Sequence, residues 1–125
     1  MDERVRQALA NDRTIDITTT GRGSRLPHRI ETWFHRVDDQ IYLTGSPGRR
    51  DWYANLLANP DFTFHLKESN AADLPARATP ITDPEERRAI FERILANLDG
   101  TQDLKAWLAG SPLVSVSFNA QDKES

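Results

Sequence analysis

Arg29-Ile30-Glu31-Thr32-Trp33-Phe34-His35-Arg36-Val37-Asp38-Asp39-Gln40-Ile41-Tyr42-Leu43-Thr44 reads as two strands and the turn between them. Residues 28–36 run extended, with Ile30, Thr32 and Phe34 on one face and Arg29, Glu31, Trp33 and His35 on the other. Asp38-Asp39 makes the turn, since short polar side chains tolerate its backbone, and Gln40 to Thr44 forms the returning strand. Strands joined this closely must run antiparallel.

The same reading extends in both directions. Upstream, residues 2–11 suit a short polar helix with Val5, Ala8 and Leu9 on one stripe. Thr14-Ile15-Asp16-Ile17-Thr18-Thr19-Thr20 alternates and is rich in β-branched residues, so it is a strand. Gly21-Arg22-Gly23-Ser24-Arg25-Leu26-Pro27 is a turn. Downstream, a helix follows Arg49 and Arg50 and closes at Asn59-Pro60, with Asp51 as its expected N-cap. Phe62, Phe64 and Leu66 mark a half-buried strand, and Ala76 to Ile81 a weaker one. Thr82-Asp83-Pro84-Glu85-Glu86 starts a helix whose stripe is Ile90, Phe91, Ile94, Leu95 and Leu98. Asp103 to Ala109 is a short helix and Leu113 to Phe118 a last strand. The predicted class is α+β, a mostly antiparallel sheet curled into a small barrel with short helices.

The 125 residues make one domain: an N-terminal helix over 1–12, barrel and helices over 13–118, and a flexible tail over 119–125. No apolar run approaches the ~20 residues that span a bilayer, so no stable membrane insertion is expected, and Met1-Asp2-Glu3-Arg4 is no signal peptide. Cytoplasm is the expected compartment. A net charge of −3 argues against nucleic-acid binding. There is no cysteine, and His28, His35 and His65 lack tight ligand spacing, so no metal is expected. His35 and His65 read as surface positions.

Basic residues concentrate between Arg22 and Arg50. The loop Thr44-Gly45-Ser46-Pro47-Gly48-Arg49-Arg50 combines small residues, two arginines and a helix start, which suits an anion. The turn holding Arg22, Ser24 and Arg25 is a second basic candidate. Trp33, Trp52 and Tyr53 can wall a flat ligand, and Asn55 lies on the helix face of Trp52. Anion binding and aromatic walls without acid–base machinery fit an enzyme whose cofactor performs the chemistry.

These motifs resemble a family. Thr18-Thr19-Thr20-Gly21-Arg22-Gly23-Ser24 is similar to the "TTTGRKSG" signature of deazaflavin-dependent nitroreductases and quinone reductases. Asp51-Trp52-Tyr53-Ala54-Asn55-Leu56-Leu57-Ala58-Asn59-Pro60 is similar to that family's "WYxNLxANP" block. The resemblance covers about residues 14–118. It implies a split β-barrel like that of FMN-binding pyridoxamine-phosphate oxidases, and a deazaflavin coenzyme (F-420 type) that passes hydride to a quinone, enone or nitro compound. By motif position, Arg22, Ser24, Ser46, Trp52 and Asn55 become cofactor residues, with the backbone of Thr44, Gly45 and Ser46 beside the ring. Arg25, Arg49 and Arg50 join them by charge, Trp33 is the substrate-pocket candidate, and Tyr53 is a candidate proton donor. The family's pocket tyrosines have no counterpart in Leu98-Asp99-Gly100-Thr101-Gln102-Asp103-Leu104-Lys105-Ala106, which implies a smaller or more apolar acceptor site. FMN is the alternative cofactor. A non-catalytic binder of a fatty acid or haem is the alternative from another class. A homodimer is a candidate assembly, because split barrels often pair across open edges.

Overall fold

The computed structural model describes residues 2–98 and 103–118, so the expected tail over 119–125 lies outside the described residues. Ten elements follow one another: α1 (Glu3–Asn11), β1 (Thr14–Thr20), β2 (Pro27–Val37), β3 (Gln40–Thr44), α2 (Asp51–Ala58), β4 (Asp61–Leu66), β5 (Ala72–Pro80), α3 (Pro84–Ala96), α4 (Leu104–Gly110) and β6 (Leu113–Phe118). The six strands close into an antiparallel barrel in the order β1-β2-β3-β6-β5-β4.

The β2–β3 hairpin forms as its sequence demands. Val37 pairs with Gln40, and Asp38 and Asp39 both sit at positive φ, 51° and 69°. Two positive φ values in a two-residue loop define the mirror-image turn whose twist matches the strands it joins. Arg93 of α3 clamps this turn with two parallel bonds of 2.9 Å to the Asp38 carboxylate, holding that carboxyl below its usual range.

Alternation in β1 and β4 sends Ile15, Ile17, Phe62, Phe64 and Leu66 into the barrel, where Phe34, Leu43, Ala76 and Val116 meet them. Phe34 and Phe118 each contact the Phe64 ring edge-on. Trp52 and Leu56 of α2 and Ala8 and Leu9 of α1 close the core. A second cluster lies outside the barrel, where Phe91, Ile94 and Trp107 of α3 and α4 pack on Leu113 and Val37.

Some boundaries differ from the sequence reading. β5 begins at Ala72, four residues before the expected Ala76. Pairing of Ala72 with Leu66 and Leu74 with Phe64 draws this weak segment into the sheet. Asp103 caps α4 instead of belonging to it.

One feature of β2 creates the site. Its first seven residues pair only with β1, through Pro27↔Thr20 to Trp33↔Thr14. Only Phe34 to Val37 pair with β3. The strand thus changes partners at Phe34, and its outer edge over residues 27–33 has no strand neighbour among the described residues. Ile30 and Phe34 share a parity, yet Phe34 is core and Ile30 is 38% exposed. The barrel splits there, and α2 approaches the gap.

Candidate functional site

The turn after β1 and the N-terminus of α2 are bound to each other through Asn55. Its Oδ1 accepts from the backbone N–H of Arg22 at 3.1 Å and from Arg22 Nη1 at 2.8 Å. Its Nδ2 donates to Thr19 Oγ1 at 3.2 Å. Asn55 is buried. It therefore positions the turn, and Arg22 above all. The turn is closed by Arg25 N–H donating to Gly21 C=O, with Arg25 itself at φ 62°. A Cβ on Gly21 would lie 2.4 Å from Ser24 Oγ and 2.7 Å from His28 Nε2, so any side chain there would fill the cradle.

Two cavities flank the start of α2. The first, about 470 Å³, is lined by Gly21 to Ser24, His28, Ile30, Trp52 and Asn55. The second, about 710 Å³, is lined by Gly48, Arg49, Arg50, Tyr53 and the segment Ala109 to Pro112. Arg22 and Asp51 border both. Their ion pair, 3.4 Å long and largely exposed, stands on the boundary between them.

The N-terminus of α2 differs from the sequence reading. Asp51 is the first helical residue, and the cap is Arg50, with no side-chain cap hydrogen bond. The Asp51 carboxylate points out toward Arg22 instead of folding back on the helix. The free N–H groups of this end, with their partial positive charge, are left for another acceptor.

The two arginines of the loop have different tasks. Arg50 Nη2 donates to Ser46 C=O at 2.8 Å and Nη1 to Arg49 C=O at 3.0 Å. Its guanidinium lies against Gly45, where a Cβ would come within 3.2 Å, and near Gly48, whose φ of 136° favours glycine. Arg50 thus staples the loop. Arg49 is exposed, and its side chain has no hydrogen-bond or ion-pair partner among the described residues. Thr44 is buried and its hydroxyl donates to Pro112 C=O, which ties the end of β3 to the far wall of the second cavity.

The predicted residues therefore divide. Arg22, Ser24, Trp52 and Asn55 meet at the first cavity, and Arg22, Arg49, Arg50 and Tyr53 at the second. Thr44, Gly45 and Ser46 act as supports behind the loop. Arg25 and Trp33 line neither cavity, and Trp33 is 48% exposed on the outer side of β2. Sequence reading missed His28, Ile30 and the wall Ala109-Gly110-Ser111-Pro112. The last had a signal in Gly110, whose C=O accepts from Gly48 N–H at 3.0 Å and whose missing Cβ admits Pro47.

The histidines also need correction. His65 is buried on the outer face of β4, with Nδ1 2.7 Å from Asp73 and Nε2 2.7 Å from Thr18 Oγ1. His35 is half-buried, and burial, aided by the Arg13 charge, lowers its pKa to about 4. Among the described residues no group of three or more His, Cys, Asp or Glu could hold a metal, and no helix is long and apolar enough to cross a membrane.

A six-stranded antiparallel barrel with short helices, split along β2, is the class of fold that comparisons with known structures also return. The chain is similar in structure to a protein described as an F420 Reductase, with TM-score 0.68, 20% identity and coverage of 96% of this chain and 97% of that one. It is similar to a candidate pyridoxamine 5'-phosphate oxidase from Listeria innocua, at TM-score 0.68, 12% identity and coverage of 94% and 93%. A candidate 5-nitroimidazole antibiotic resistance protein from Bacteroides thetaiotaomicron gives TM-score 0.68, 17% identity and coverage of 95% and 81%. The comparison with curated proteins found no match. The family model for F420H(2)-dependent quinone reductase matches residues 3–116, and the chain belongs to that family. It is accordingly a deazaflavin-dependent oxidoreductase, and the deazaflavin is its coenzyme.

Proposed function

We propose that the coenzyme lies in the groove around the N-terminus of α2. The Gly21–Ser24 turn and Arg22 would hold its phosphate, and the Thr44–Arg50 loop would flank its ring. The acceptor, a quinone by the family's name, enters the second cavity. The carrying observation is the bond set of Asn55, which holds Arg22 over the uncapped start of α2.

The donor set fits a phosphate-bearing coenzyme. Backbone N–H groups at a helix start, a guanidinium and a glycine cradle are what a phosphate requires, and Trp52 and Ile30 supply apolar wall. When bound, the reduced deazaflavin supplies a hydride. The chain's own part is placement, because reacting atoms must approach to about 3–3.5 Å with water excluded. Arg22 and the α2 N-terminus anchor the anionic part. Arg50 stiffens the loop facing the ring. Tyr53, half-buried and edge-on to Trp52 at 6.1 Å, lines the acceptor cavity and holds a proton at Oη for the reduced acceptor. The outer edge of β2, with Trp33 and Ile30, is the face we assign to pairing with a second copy.

The test is a fluorescence titration with the deazaflavin coenzyme. Arg22→Ala should bind it roughly tenfold or more weakly, as expected for loss of a charged hydrogen bond. The variant's melting temperature should stay close to that of the parent. Equal affinity in the two proteins would remove Arg22 from the site.

A further inference from the structure

The second cavity carries a charge pattern that a neutral quinone does not need. Three arginines and one aspartate border it, and that Asp51 already pairs with Arg22. Arg50 is spent on carbonyls of its own loop. Arg49 remains, an exposed guanidinium with no partner among the described residues, beside the uncapped start of α2. Opposite stand Gly110 and Ser111. Ser111 is 4% exposed, and its hydroxyl has no hydrogen-bond partner among the described residues. A buried hydroxyl without a partner is rare, and this one belongs to a residue of the cavity wall. The remaining walls are Ala54, Ala109, Pro112 and the Tyr53 ring, which suit a flat carbon skeleton.

We propose that the acceptor is itself an anion. It is an electron-poor ring or enone bearing a carboxylate or sulfonate-like group, which Arg49 binds. Arg49 is then a specificity residue for the acceptor, separate from the coenzyme's phosphate seat at Arg22. This rests on the reading of the second cavity as the acceptor site. Two electrons arrive as the coenzyme's hydride and one proton arrives from Tyr53 or water, so a quinone leaves as its hydroquinone with the anionic group untouched. A guanidinium on the cavity wall discriminates, because a neutral acceptor cannot make its charged hydrogen bond.

The experiment compares two acceptors on the coenzyme-loaded protein, a naphthoquinone sulfonate and the neutral menadione, in the parent and in Arg49→Ala. The ratio of kcat/KM for sulfonate over menadione should fall roughly tenfold or more in the variant, while menadione turnover and coenzyme affinity hold. A second readout needs no turnover. Naphthalene sulfonate should bind the parent in calorimetry, bind Arg49→Ala roughly tenfold more weakly, and outcompete naphthalene methanol. An unchanged ratio overturns the proposal. So does a variant that loses coenzyme affinity instead, since Arg49 would then serve the coenzyme's tail. If neither acceptor is reduced by the loaded parent, the acceptor-site reading itself fails, and sulfonate binding alone would then report an anion site of another purpose.

Discussion

Asn55 Oδ1 lies 2.8 Å from Arg22 Nη1 and 3.1 Å from the Arg22 backbone nitrogen, so one buried amide fixes both the place and the direction of the guanidinium. With its amide oxygen spent on Arg22, its work is architectural. Asn55→Ala should cost about 1–3 kcal/mol, the range for breaking a buried hydrogen-bond set. It should also weaken coenzyme binding several-fold. Thermal unfolding and a coenzyme titration check the pair, and weaker binding at undiminished stability would point to direct ligand contact instead.

Arg87 joins three parts of the chain. Its guanidinium donates to the carbonyls of Ile81 at 3.2 Å, Leu108 at 3.1 Å and Ser111 at 2.8 Å, and lies 5.1 Å above the Phe91 ring. Arg87→Met keeps the length and leaves three carbonyls unpaired. We expect a loss on the order of 2–3 kcal/mol in urea unfolding. Because the Ser111 wall loses its tie, acceptor KM should rise more than coenzyme Kd. A variant as stable as the parent would show that water replaces the guanidinium at no cost.

His35 makes stability depend on acid. Its folded pKa of about 4 lies below the ordinary 6.5, chiefly through burial. The unfolded chain takes up this proton near pH 6.5 and the folded one resists until about pH 4. The contribution is therefore complete above pH 6.5 and is lost as pH falls toward 4. His35→Gln removes the titration, so its denaturation midpoint should fall less between these limits than the parent's. Parallel curves would mean that the folded imidazole protonates as freely as the unfolded one.

Asp39 holds a φ of 69°, which aspartate tolerates better than most residues but less well than glycine. Asp39→Gly should stabilise the hairpin by about 0.5–1 kcal/mol. The exposed pair with Arg36 that it gives up contributes little. A higher melting temperature is the expected result, and a lower one would show that the ion pair outweighs the backbone relief.

Much of this molecule was legible in the chain. Ile15, Ile17, Phe62, Phe64 and Leu66 alternate with polar neighbours, and a period of two states which face is buried. Asp83 before Pro84 marks a helix start, and its side chain does accept from Glu86 N–H. The sequence pattern marks β5 only from Ala76, because Ala72 to Pro75 has little strand preference of its own and is recruited by β4. His65 looked like a surface residue because its parity is outward, and only folding brings Thr18 and Asp73 to its two nitrogens.

By itself, the sequence determined what depends on neighbours along the chain: strand parity, turn chemistry, helix starts, the concentration of arginine between Arg22 and Arg50, and the two family motifs. Tertiary structure alone decided which arginine does what. Arg49 and Arg50 are adjacent and chemically identical, yet one staples a loop and the other faces a cavity. The difference arises because the Ser46 carbonyl lies within reach of Arg50. It decided equally that Asn55 holds Arg22 across 33 positions and that β2 loses its neighbour before Phe34. Such contacts depend on where the barrel brings distant backbone together, and no local preference encodes a distance between segments that meet only when the sheet closes.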